Sequence, residues 1–220
     1  MDVSSELLGK LRNTIQEGSL AVCAIPACPE ISLNLLTADY PRGKLTNDEM
    51  LAIIDRPAYW AFCWASGQVT ARFLLDNPLI CKGKTVIDFG SGSGVLSVAA
   101  ALTGADSVIA CDSDADARAA ILENAKLNQV KSIEVISDLK KLTSKPDVFV
   151  ASDVLYDREN LGILEILDAH CDRALIADSR VRDLRTFDEF RLLFTKRSKT
   201  VPDLDESEEF SLVRLYEKKF

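Results

Sequence analysis

The chain has 220 residues, 47% of them hydrophobic, with 26 Lys and Arg against 34 Asp and Glu. That length and apolar content suit one domain with a sizeable core and a short extension. A net charge of −8 argues against a general nucleic-acid binder, which needs a basic face to displace counterions, and leaves a protein partner open. No apolar run reaches membrane-spanning length, and "MDVSSELLGKLRNTI" lacks the basic-then-apolar order of a secretory signal. The six cysteines are scattered without Cys-x-x-Cys, so a reducing, cytoplasmic setting is expected. His170 is the single histidine, which removes His-rich metal sites and most Ser-His or Cys-His catalysis; no metal is expected.

Taken in chain order, residues 1–20 predict an amphipathic helix, with Leu7, Leu8, Leu11 and Ile15 at helical spacing. Pro26 and Pro29 sit among short β-prone runs and predict extended segments or a hairpin. Residues 1–60 are thus expected to form a helical and extended lid on a domain spanning 61–220. "GQVTARFLLDN" predicts a helix with Val69, Phe73 and Leu74 on one face. Strands are then expected at 85–89, 107–111, 133–136, 148–151 and 174–177, with helices at 95–102, 115–128 and 161–170 between them. This alternation implies an α/β fold, a mostly parallel sheet covered by helices on both faces. A last helix is expected near 186–194. Two strand-like runs follow, "KRSKTV" and "FSLVRLYEKK", separated by acidic "PDLDESEE"; they read as an antiparallel hairpin on the sheet edge.

The first strand runs into a glycine loop, "TVIDFGSGSGV". Glycines between a strand and a helix allow a tight turn and the close approach of a ligand, and the helix start offers unpaired N–H groups. A nucleotide-like ligand calls for a second acid about 20 residues on, where it binds ribose hydroxyls. Asp112 stands there, directly after the second strand, and Asp138 follows the third. Solvated strand-end acids and plain turn glycines are the alternative for each element taken singly.

A dinucleotide fingerprint needs Gly-x-Gly-x-x-Gly, but the third glycine comes one residue early and Val95 takes its place. Asp88, Gly90, Gly92 and Gly94 instead resemble motif I of the S-adenosylmethionine-dependent methyltransferases with a seven-stranded, doubly wound Rossmann-like sheet. By that resemblance S-adenosylmethionine is the cofactor. Asp88 helps to hold its methionine amino group, directly or through water, Gly90 and Gly92 make room for it, Asp112 binds the ribose and Asp138 lies beside the adenine. Ser91, Ser113, Ser152 and Trp64 join the expected cofactor-binding set, although Trp64 could equally be a core residue. A carboxylate at Asp88 makes physical sense beside an ammonium and little beside a pyrophosphate.

After the fourth strand, "VASDVLYDRENL" has no Asn-Pro and carries Asp153 and Tyr156. This resembles the Asp/Glu-x-x-Tyr/Phe motif of seven-strand protein lysine methyltransferases. "RPAYWAFCWASGQVTARFLLDNP" followed by "GKTVIDFGSGSG" resembles more narrowly the electron-transfer-flavoprotein β-subunit lysine methyltransferases. The expected substrate is therefore a lysine of that protein, with Asp153 binding and aligning the amine and Tyr156 walling its channel or orienting the nucleophile. Loop capping and packing are the plainer reading of the same two residues. "IADSRVRD" departs from the family's Gly-Asp-Pro-Gly type of turn, which bears on substrate identity. Arg180, Arg182 and Arg185 could there receive an acidic surface or simply be solvated. Small-molecule amine N-methylation and a non-catalytic cofactor-binding scaffold are the rival readings; a nicotinamide-dependent oxidoreductase is disfavoured by the early third glycine.

Overall fold

A computed structural model describes residues 3–40, 43, 46–181, 183–185 and 190–220. Seven strands form the main sheet: β3 Thr85–Phe89, β4 Ser107–Cys111, β5 Ile133–Ile136, β6 Val148–Ser152, β7 Arg173–Asp178, β8 Arg191–Arg197 and β9 Leu212–Lys219. They lie in the order β5-β4-β3-β6-β7-β9-β8. β3 to β7 are parallel, while β9 runs antiparallel between β7 and β8. The chain first builds outward from β3 through β4 to β5, then returns to β6 on the other side of β3. That reversal opens a crevice at the carboxyl ends of β3 and β6.

Side chains alternate across the parallel strands, and both faces are buried. Val86, Val108, Val148, Val150 and Leu175 meet α3 Ala65–Asp76 and α4 Val95–Leu102 on one face. Ile87, Phe149, Ala151, Ala174 and Ile176 pack on the other with Leu164 and Leu167. The same alternation puts Asp88 on the α4 side, two residues beyond Val86. Gly67 is inside α3, where an added Cβ would stand 3.0 Å from Val95 of α4. Gly67 therefore serves close helix packing, while the Gln68 side-chain amide donates to the carbonyls of Cys63 and Lys199 at 3.2 and 2.6 Å.

An N-terminal hairpin lies outside this sheet. α1 Ser5–Arg12 is shorter than the expected 1–20; Ser4 caps it, and Leu7 and Leu11 are buried. β1 Leu20–Ile25 and β2 Cys28–Leu36 pair as an antiparallel ribbon. Ile31, Leu33 and Leu35 of β2 join the core beside α3 and α4. The amides of Ser32 and Asn34 in β2 are satisfied by side chains of α5 Ala115–Leu127 and of the residue that ends it. Asn124 Oδ1 accepts from both the backbone N–H and the side-chain amide of Asn34, at 2.8 and 2.9 Å. Asn128 accepts the Ser32 N–H at 2.9 Å and donates to its carbonyl at 2.6 Å. The Asn124 amide also donates to the carbonyl of Ser93 in the glycine loop at 2.8 Å. A second helix, α2 Asn47–Asp55, follows the hairpin.

Three expectations at the C-terminal side are corrected. Residues 161–170 are a 3₁₀ stretch ending at Glu165 and a single turn, α6 Leu167–His170. Residues 191–194 belong to strand β8, paired with β9, while 186–189 lie outside the described residues. The hairpin strand is thus Arg191–Arg197 in place of 196–201. No helix among the described residues is long and apolar enough to cross a membrane.

Asn124→Leu keeps the bulk but removes three buried hydrogen bonds, each worth about 0.5–1.5 kcal/mol, and orphans the Asn34 N–H. Urea denaturation should record a loss of at least about 2 kcal/mol; a loss within error of zero would detach this network from stability.

Candidate active site

A cleft of about 860 Å³ opens at the carboxyl ends of the parallel strands, within the range of small-molecule sites. Gly90, Gly92, Asp112, Ser113, Asp138, Ser152, Asp153, Tyr156 and Trp64 all line it. Tyr59 and Arg180, not assigned to the site from the sequence, line it as well. Asp88, Ser91 and Gly94 are not in its lining and belong to the supporting layer.

The loop between β3 and α4 shows why its glycines differ. Gly90 has φ +67°, and a Cβ there would fall 2.4 Å from Cγ1 of Val154. Val154 follows β6 and seals the floor of the crevice, so Gly90 is required by protein packing. Gly92 has φ +53°, and its Cβ would meet only the Gly90 carbonyl, 4.0 Å away. It lines the cleft, so backbone can approach a ligand there without side-chain interference. Gly94 stands against Ile121 of α5, 3.3 Å from the would-be Cβ.

Asp88 is buried, and its Oδ2 accepts from the Ser97 backbone at 3.0 Å and hydroxyl at 2.6 Å. It therefore fastens the first turn of α4 to β3, while Ser91 Oγ donates back to the Asp88 carbonyl at 2.7 Å. Burial pushes the Asp88 carboxyl up to about 7, opposed by the Ser97 hydrogen bonds. Asp88 thus stands behind the cleft lining, with its Oδ2 engaged by α4.

Asp112, at the end of β4, accepts from the Gly92 N–H at 2.8 Å and the Asp114 N–H at 3.0 Å. Burial raises its pKa too. Asp138, after β5, caps the next turn by accepting from the Lys140 N–H at 2.9 Å. Asp153 follows β6 with φ +51°, a left-handed conformation that only an asparagine or aspartate adopts at modest cost among non-glycine residues. Its Oδ1 accepts from the Ser66 hydroxyl at 2.6 Å and from the Ser179 hydroxyl at 3.0 Å; its Oδ2 accepts the Ser66 N–H at 2.9 Å. The start of α3 and the end of β7 are thereby tied to β6. Burial, and then the nearby Asp178, push Asp153 up to about 6.

An aromatic mouth stands beside Asp153. The Tyr156 ring meets Tyr59 edge-on with centroids 5.9 Å apart, and Tyr59 meets Trp64 edge-on at 5.7 Å. Trp64 precedes α3 and donates its indole N–H to the Tyr59 carbonyl at 3.0 Å; Trp60 is the tryptophan in the core. Tyr156 and Tyr59 are 52% and 45% exposed, so the mouth is open. Arg180 lies over Trp64 at 5.7 Å and over Phe210 at 5.0 Å, with an ion pair to Glu206 at 2.7 Å. Arg185 pairs with Asp183 at 2.7 Å, and Arg182 lies outside the described residues. Of the expected basic cluster, the two described arginines are each paired with an acid.

Open backbone at Gly92, a carboxylate at the end of each of two adjacent strands, and an excess of acids over cations fit a nucleoside with a cationic sulfonium and ammonium. Together with the strand order, this defines an S-adenosylmethionine-dependent methyltransferase. The comparisons agree. Residues 72–157 match the family model described as ribosomal protein L11 methyltransferase (PrmA). Magnesium protoporphyrin IX methyltransferase from Synechocystis, solved with bound cofactor, shares the fold at TM-score 0.54 and 20% identity, over 81% of this chain and 86% of that one. The electron transfer flavoprotein beta subunit lysine methyltransferase of Mus musculus is 34% identical over 183 residues, 80% of this chain and 71% of that protein. Its Rattus norvegicus counterpart is 34% identical over 77% of this chain and 68% of its own length. The chain belongs to the electron transfer flavoprotein beta subunit lysine methyltransferase family.

Two predictions test this geometry. Gly90→Ala and Gly92→Ala carry similar backbone strain, about 1–2 kcal/mol, but only the former collides with Val154. Thermal denaturation should therefore show the larger loss for Gly90→Ala, while calorimetry should show Gly92→Val abolishing cofactor binding. Asp88 titrates in the folded chain near 7 against an ordinary value near 4. Between those values the folded state holds more protons than the unfolded, so stability falls as pH rises through this window and levels above it. Asp88→Asn removes the titration. Its melting temperature relative to the parent should rise from about pH 4 to about pH 7 and then stay flat; a pH-independent difference would mean that Asp88 does not titrate there.

Proposed function

We propose that this chain transfers a methyl group from S-adenosylmethionine to a lysine side chain of the electron-transfer-flavoprotein beta subunit. The observation that carries the reading is the aromatic mouth with Asp153, beside the strand-end aspartates in one cleft, in a chain of this family. Bound S-adenosylmethionine supplies a methyl group activated on a sulfonium. The residues then bind, align and exclude. Gly92 would give backbone access, Asp112 would hold the ribose and Asp138 would lie by the adenine. Catalysis is alignment of a neutral amine with the methyl group.

Asp153 supports alignment better than proton removal. Its carboxylate already takes donors from Ser66 and Ser179, and Oδ2, which takes only the Ser66 N–H among these bonds, has acceptor capacity for an incoming amine. Burial pushes the Tyr156 hydroxyl up to about 12, so it stays protonated at neutral pH and can orient an amine without acting as base. The proton lost by the amine goes to solvent at the open mouth. That openness, with two half-exposed tyrosines, favours a protein acceptor over a small amine, which would call for a closed pocket. A cytoplasmic location is part of the same reading, supported by six cysteines that are all free thiols.

The test is methylation of purified electron-transfer flavoprotein with labelled cofactor, read by mass spectrometry, with cofactor affinity measured on the same preparations. Asp153→Ala should keep most cofactor affinity yet lose transfer at least about tenfold, or ~1.4 kcal/mol of transition-state stabilisation. Tyr156→Phe should lose less than Tyr156→Ala if the ring walls the channel. Full activity in Asp153→Ala would remove its substrate role; loss in step with cofactor affinity would move it to the cofactor site.

A further inference from the structure

Among the described residues, α2 is the most uncovered of the α-helices. Met50, Leu51 and Ile54 are 47%, 63% and 72% exposed. None of the described side chains of α2 is buried. A nine-residue helix is marginal on its own in water and normally survives by packing an apolar face. Single exposed leucines carry no message, but three large apolar side chains on one short helix form a patch of the kind that marks an interaction surface.

The position of the patch says what it meets. The chain runs from Ile54 directly through Asp55, Arg56 and Pro57, which line the cleft, to Tyr59 in the aromatic mouth. The Arg56 carbonyl is anchored by the Thr14 hydroxyl at 2.7 Å, so the end of α2 is fixed at the rim. The rim is electrostatically one-sided. Seven aspartates line the cleft against two arginines, and both arginines have acidic partners: Arg56 with Asp55 at 3.6 Å, Arg180 with Glu206 at 2.7 Å. Such a rim attracts a cationic segment and repels an acidic one.

We infer that α2 is the docking surface for the protein substrate. It receives an apolar side chain from a basic segment whose target lysine then enters the aromatic mouth. This rests on the proposed lysine methyltransferase activity and adds the chemistry of the recognised segment: cationic, with an apolar residue near the lysine. Leu51 and Ile54 supply contact area, and the rim carboxylates supply orientation and rate of encounter. A second copy of the chain would have no matching excess of cations to offer, since its net charge is −8.

The experiment compares the parent chain with Leu51→Ser/Ile54→Ser. Both positions are exposed and outside the cleft lining, so the fold should be unaffected; melting temperature checks this. Initial rates are measured on purified electron-transfer flavoprotein at two salt concentrations, cofactor affinity by calorimetry, and mass by sedimentation. The expected result is a KM for the flavoprotein raised at least tenfold, kcat and cofactor affinity within twofold of the parent, and a parent KM that rises with salt. Equal KM in parent and variant, with the parent active, overturns the docking role alone. Loss of cofactor affinity in the variant overturns it in favour of a lid. A parent dimer that dissociates in the variant with KM unchanged overturns it in favour of self-association. No transfer by the parent overturns the substrate reading, and this inference with it.

Discussion

The cleft is shaped by carboxylates that accept backbone N–H groups at the carboxyl ends of the parallel strands. Asp88 takes Ser97, Asp112 takes Gly92 and Asp114, Asp138 takes Lys140, and Asp153 takes Ser66. Asp178, ending β7, takes Arg180 and Val181 at 2.7 and 2.8 Å. A parallel sheet leaves its loops to turn at one edge, and each turn exposes amides with no ladder partner. An aspartate within two residues of the strand's end satisfies them at short range. Every loop around the crevice is therefore held by the strand it leaves or by a neighbour, and the crevice keeps its form.

That solution concentrates negative charge. Burial raises Asp88, Asp112 and Asp153 above the ordinary carboxylate range, because few cations stand close enough to compensate. The resulting field suits a ligand that brings its own positive charge. It works against a lysine losing its proton, since nearby carboxylates favour the ammonium form. The structure eases this conflict by spending the carboxylates on amides and hydroxyls. Asp153 gives most of its acceptor capacity to Ser66 and Ser179, and the aromatic rings of Tyr59, Trp64 and Tyr156 form the mouth.

Much of this was legible in the residues. Five parallel strands announced themselves as β-branched and apolar runs, and the aspartates that close them stand at fixed places after those runs. What the sequence hid was contact between distant segments. That Gly90, besides lining the cleft, has Val154 packed against it, 64 positions away, is not visible locally. Nor is the engagement of Asp88 Oδ2 by Ser97. Arg180 reads as a free cation until Glu206 is placed beside it. "FRLLF" has a helical pattern, yet pairing along β9 turns it into an edge strand, a case of tertiary context overriding local periodicity. Helix α2 does not stand out in the sequence: "NDEMLAIID" has the apolar spacing, but it follows a proline-rich extended stretch.

The elements divide along the chain by the generality of what they do. Residues 72–157, the stretch shared with the ribosomal protein L11 methyltransferases, contain the glycine loop, Asp112, Asp138, Asp153 and Tyr156. Trp64, Tyr59 and α2 precede that stretch, and Arg180 with the Glu206 loop follows it. Parts before and after the shared stretch thus complete the cleft, and they are joined to it by specific bonds. Ser66 binds Asp153, Asn34 reaches the glycine loop through Asn124, and Asp153 also reaches Ser179 beyond β7. The physical consequence is that the mouth can change its residues without disturbing the strand ends, provided those few bonds are kept. Selectivity for one acceptor over another is then a property of the mouth and α2, carried on a cofactor site whose geometry the sheet has already determined.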